Sequence, residues 1–156
     1  MFESHELDAS RLCKDRFQLI SELHQRVSFK NAISSSEMEE YGSHLLICVQ
    51  PRKISRVPKI LMCGLQSASA QIWGRDWASS AHKTHSLEQP HLNEIFTYGY
   101  KVAADHGWYC EETEGFVDGP EGMRFLSFVR YIRTVRSEAG FNFFICAGVI
   151  RHRVLQ

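Results

Sequence analysis

No apolar run in this sequence approaches the roughly 20 residues that a bilayer-spanning helix needs. The start, MFESHELDASR, lacks a basic segment followed by an apolar one, so no secretory signal is expected. No Cys-x-x-Cys pair occurs, and the five cysteines (13, 48, 63, 110, 146) are odd in number and widely spaced. That pattern argues against a disulfide frame and for reduced thiols used as small core residues. Asp118-Gly119-Pro120-Glu121-Gly122 lacks both a P-loop lysine and a strand-to-helix setting, so it is not a phosphate cradle. No Ser/His/Asp set is suggested by spacing, and Cys110 beside Glu111 and Glu112 has no neighbouring base and two carboxylates that disfavour a thiolate. These absences leave one soluble, cytoplasmic, non-enzymatic domain over residues 1–156, without cofactor or membrane contact and large enough to bury a core.

Net charge is zero, yet charge of one sign is missing from two stretches. Residues 105–121 hold six acids and no Lys or Arg; from 124 onward six arginines face the single acid Glu138. A basic arm for nucleic acid is one reading. Mutual neutralisation or separate solvated faces is the plainer one, and it is preferred.

What is present reads as mixed helix and strand. Apolar residues at 13, 17, 20, 23 and 27 predict a helix over 8–27, with Asp8 as its cap. A short turn over 37–41 precedes Gly42. Strands are expected at 44–50 and 59–64, joined by a turn at 51–58. A helix over 67–77 would set Trp73 and Trp77 one turn apart, followed by a loop over 79–90. Leu92, Ile95, Phe96, Val102 and Ala103 predict a helix over 91–107, stopped by Gly107. Residues 108–117 and 123–131 read as a hairpin turning at 118–122, although 124–138 also fits a helical face. FNFFICAGVI, 141–150, is apolar throughout and open to either assignment.

Three blocks in this order resemble the autoinducer-binding domain of LuxR-type quorum-sensing regulators: EEYGSHLLICVQPRKISRVPKILMCG, IWGRDW and KVAADHGWYCEETEGFVDGPEGMRFLSFVR. The likeness covers about 38–132 and leaves 133–156 as a tail without assignment. It implies an α+β fold, an antiparallel sheet of about five strands sandwiched between helices. It also implies a small apolar signal, an acyl-homoserine lactone or similar molecule, held between sheet and helices. By resemblance the ligand-binding residues are Trp73, Trp77, Tyr41, Leu46, Met62, Phe96, Trp108, Phe125 and Ser127. Where the family carries an aspartate for the ligand's amide, this chain has Ser79, His82, Lys83, Thr84 and His85. Only 24 residues follow Ile132, so the resemblance implies a receptor domain without its helix-turn-helix half. Such a chain would not bind DNA directly; it would form homodimers, or heterodimers with a full-length receptor.

Two other readings stay open: a stand-alone small-molecule sensor of PAS-like design, and a remnant domain with an apolar core and no ligand. The PAS-like design would place several short helices after the first hairpin and end in three strands. His82, His85 and His91 offer imidazoles, but no Cys or Asp stands at ligand spacing, so a polar loop without metal is expected.

Overall fold

The computed structural model describes residues 2–28, 31–83, 90–119 and 122–155. In chain order the elements are β1 (Phe2–Glu6), α1 (Gln18–Ser28), α2 (Ser35–Tyr41), β2 (Leu45–Val49), β3 (Ile60–Cys63), α3 (Ala68–Trp73), α4 (Arg75–Ser80), α5 (Pro90–His106), β4 (Trp108–Gly119), β5 (Gly122–Arg136) and β6 (Asn142–Leu155). All strand pairings are antiparallel, and they make one six-stranded sheet in the order β1-β4-β5-β6-β2-β3. The fold is therefore α+β, with one more strand than the resemblance implied.

Both faces of the sheet are covered. On one, Ile20, Leu23 and Val27 of α1 pack with Leu45, Val129, Tyr131 and Ile145. On the other, Tyr100 and Ala103 of α5 meet Ile132 and Phe144, while Ile72 and Phe96 meet Leu126 and Phe128. Alternate residues of β5 thus feed two different cores. That two-sided burial removes the polar-apolar alternation by which an exposed strand is read, and it is why 124–138 also matched a helical face. The segment is strand as far as Arg136.

Most of the stretch left without assignment above lies in the middle of the sheet, as the end of β5 and as β6. β6 pairs with β5 from Asn142 onward and with β2 through Phe143–Ala147. The expected helix over 8–27 is shorter. Residues Ala9–Arg11 form a 3-10 turn whose cap is Asp8, accepting the Ser10 N–H at 3.0 Å, and α1 begins only at Gln18. The cause is β1, which binds the edge of β4; the Leu7 N–H reaches the Cys110 carbonyl at 2.8 Å, so the chain must turn before crossing the sheet. Cys13, placed on the apolar face by its spacing, is exposed. Between Ser34 and Tyr41 the expected single turn is a helix, because Ser34 and Glu37 form a reciprocal capping box.

The helix expected over 67–77 is broken by Gly74, whose φ of +96° ends α3 and starts α4. Part of the expected loop is ordered, since α4 runs to Ser80 and a 3-10 turn covers Ala81–Lys83; residues 84–89 lie outside the described residues. α5 ends as its sequence predicts: Gly107, at φ +92°, returns its N–H to the Ala103 carbonyl at 2.7 Å. The hairpin tip at Pro120 and Glu121, and the inward placement of Leu92, lie outside what is described. No described helix is long and apolar enough to cross a membrane.

The acidic and basic runs turn out to be neighbouring strands. Glu111 stands opposite Arg130 and pairs with it, and Glu112 pairs with Arg151. Arg124 and Arg133 are buried, whereas Arg136 and Arg151 are exposed; the Arg153 side chain lies outside the described residues.

Candidate functional site

A cavity of about 90 Å³ lies between the sheet and helices α3, α4 and α5. Its sheet wall comes from Leu46, Ile60, Val117, Leu126, Phe128 and Gly148; α3 and α4 contribute Ile72, Trp73 and Trp77; α5 contributes Phe96 and Tyr100. The cavity is small. Its walls are mostly apolar.

Three local features shape it. Gly74 separates the two helices, so Trp73 and Trp77 approach with ring centroids 6.2 Å apart and tilted by 42°. Ser67 caps α3 by accepting the Ala70 N–H at 3.1 Å, which aims that helix across β6. At the crossing a Cβ on Gly148 would sit 2.7 Å from the Ala68 Cβ, so only glycine lets α3 come this close.

The polar groups lie together along the wall made by β5, β6 and α5. The Arg130 Nε donates to Glu111 at 2.8 Å, and its Nη2 reaches the same carboxylate at 2.5 Å and the Phe96 carbonyl at 3.3 Å. Its guanidinium also covers the Phe96 ring at 4.6 Å. Burial works against the Arg130 charge, but Glu111 outweighs it and holds the guanidinium firmly protonated. Ser4 of β1 donates to the other Glu111 oxygen at 2.5 Å, so the edge strand helps fix the pair. Nearby, the Tyr100 hydroxyl lies 3.3 Å from Cys146 Sγ and 3.5 Å from Cys48 Sγ. Burial pushes the Tyr100 phenol up.

Of the residues singled out from sequence, Leu46, Trp73, Trp77 and Phe96 line this cavity. The others stand elsewhere. Tyr41 is in the core under α1, donating to Glu22 at 3.2 Å and covered by the Arg26 guanidinium. Trp108 is on that same face, edge-on to His24 at 4.8 Å. Met62 is exposed on β3, Phe125 packs edge-on to Phe116, and Ser127 is buried but not on the cavity wall. Cys110 is also on the α1 face, its thiol pushed up to about 12 chiefly by burial and further by Glu111. Sequence reasoning missed Tyr100, Arg130 and Cys146. One signal was available: Gly99 in mid-helix, where a Cβ would stand 2.5 Å from Arg130 Nη2.

Among the described residues no group of three His, Cys, Asp or Glu could hold a metal; His85 and the His91 side chain lie outside them. Comparison with protein families, with curated proteins and with solved structures finds no match to this chain.

Proposed function

We propose that the chain is a non-enzymatic signal-binding domain that encloses a small, largely apolar molecule between the sheet and α3–α5. One observation carries the reading: an apolar cavity walled by two tryptophans and met on one side by an arginine, a phenol and a thiol. Apolar walls with a few convergent polar groups suit a short greasy chain bearing a carbonyl head. The LuxR-type resemblance supports the finer version, an acyl-homoserine lactone-like ligand in a receptor domain that acts by pairing with another chain of its kind. A sheet covered by helices on both faces is the arrangement that likeness implied.

Thermal melts with acyl-homoserine lactones test it, beginning with the shortest acyl chains because the cavity is about 90 Å³. A ligand at a hundred times its dissociation constant should add about 2.7 kcal/mol of stability. A flat response across the panel leaves the remnant reading, a core with no ligand. Co-purification with a full-length receptor tests the pairing step; a chain that stays alone at micromolar concentration overturns it.

A PAS-like sensor is favoured by a separate observation. The hairpin β2–β3 is followed by the short helices α3 and α4, and three strands close the chain. The same melts with small aromatic ligands distinguish it, since stabilisation by these and not by acyl lactones would select that reading.

A further inference from the structure

The sulfurs of Cys48 and Cys146 flank a single phenol. Their strands are neighbours: Cys146 stands opposite Leu46, and Cys48 opposite Phe144, two residues along. Tyr100 Oη is 3.5 Å from one sulfur and 3.3 Å from the other. A phenol has one proton to give. It can donate to only one sulfur and must accept from the other if both contacts are hydrogen bonds.

Which way the chain runs follows from the surroundings. Cys146 lines the cavity, as does Arg130, whereas Cys48 is wholly buried and off the cavity wall. The favourable order is Cys48 S–H donating to Tyr100 Oη, and Tyr100 O–H donating to Cys146 Sγ. This leaves Cys146 as the terminal acceptor, the position where negative charge is best held. Burial raises the Cys146 thiol, but the neighbouring Cys48, the Tyr100 hydroxyl that donates to it and then the Arg130 charge outweigh burial and leave it below the ordinary thiol value. Cys48 moves the other way, raised by the neighbouring Cys146 and by burial. Cys63, also buried, is raised too, and Cys110 is buried on the other face of the sheet.

The geometry points to Cys146 as a nucleophile at the cavity wall that adds to a small α,β-unsaturated carbonyl compound. The Cys146 sulfur forms a bond to the β-carbon, the carbon–carbon π pair shifts onto the carbonyl oxygen, and the proton that left the thiol ends on the α-carbon. The product is a thioether and a saturated carbonyl; nothing is oxidised or reduced and no group leaves. The oxyanion formed on the way lies on the wall that carries the Tyr100 hydroxyl and the Arg130 guanidinium, both suited to stabilise it. The proposal rests on the ligand-cavity reading above and deepens it by naming a reactive ligand class.

The test is site-resolved alkylation of the folded chain with ethyl vinyl ketone, in a Cys13→Ser background that removes the exposed thiol. Peptide mapping should show Cys146 modified at least tenfold faster than Cys48, Cys63 or Cys110. Tyr100→Phe should slow that modification about tenfold while the circular dichroism spectrum stays unchanged. Reaction of Cys146 no faster than Cys110, or an undiminished rate in Tyr100→Phe, overturns the proposal. The saturated lactone panel separates the two readings. Stabilisation by lactones with an inert Cys146 overturns only the nucleophile; a reactive Cys146 with no lactone response supports the nucleophile and counts against the lactone. Failure of both assays overturns both.

Discussion

Gly99 shows how one missing methyl group can hold a site open. In a helix interior glycine costs about 1 kcal/mol relative to alanine. Here a Cβ would stand 2.5 Å from Arg130 Nη2, with Tyr109 and Ile132 also within 3.2 Å. Gly99→Ala should therefore lower the melting temperature despite its better helix propensity, because the guanidinium must leave Glu111. Glu111→Gln probes the same contact from the other side. Both partners are buried, at 11% and 1% side-chain exposure, so removing one leaves an uncompensated charge and should cost about 3–5 kcal/mol in urea unfolding. If Glu111→Gln is neutral, the pair does not hold the cavity wall. Leu46, Trp73, Trp77 and Phe96 were picked through the resemblance, which picked Tyr41, Met62, Trp108 and Phe125 as well, and these large side chains stand away from the cavity. Arg130 and Cys146 could not be picked from the sequence: an arginine inside a strand and a cysteine inside an apolar run look like surface charge and filler until their neighbours are known.

Among the elements, α5 was the most legible, since its inward residues keep helical spacing and Gly107 closes it with a positive φ. β1 was invisible. FESHE carries no apolar alternation and is strand only because the β4 edge offers it partners. β6 was open to either assignment for the opposite reason, being apolar on both faces. Its place between β5 and β2 makes it indispensable, so a chain ending at Gly140 should lose cooperative thermal unfolding altogether. A cooperative melt from that truncation would show that β5 and β2 need no strand between them. Gly148 sets the packing of α3 on β6. Gly148→Ala should push that helix outward, change the emission of Trp73 and Trp77, and lower stability; unchanged emission would place the clash elsewhere.

Taken as a whole, the molecule sets buried polar groups among the apolar ones on both faces of its sheet. On the α1 side, His24 Nδ1 lies 2.8 Å from Tyr131 Oη, which accepts from Arg133 Nη1 at 3.2 Å. Burial, and then the Arg133 charge, push the His24 imidazole below its ordinary value, against a small opposing pull from Asp8. An unfolded histidine titrates near about 6.5. Between that value and the lower folded one, the unfolded chain binds the extra proton, so stability rises with pH in this window. The contribution is full above the unfolded value and is lost as pH falls towards the folded one. Unfolding free energies should therefore drop between pH 7.5 and 5.5, and His24→Gln should flatten that slope; an equal slope in the variant would assign it to other groups.

Spacing was enough to indicate a mixture of helix and strand and the α5 boundary, because these depend on residues near one another in the chain; the antiparallel α+β arrangement came from the resemblance. Pairing across distance was beyond spacing. Glu111 with Arg130, Tyr100 between Cys48 and Cys146, and β6 beside β2 join residues from 19 to about 100 positions apart. A side chain's local sequence does not record which strand will lie beside it. In this protein the cavity, its polar wall and the sharing of charge between strands all arise from that choice of neighbours.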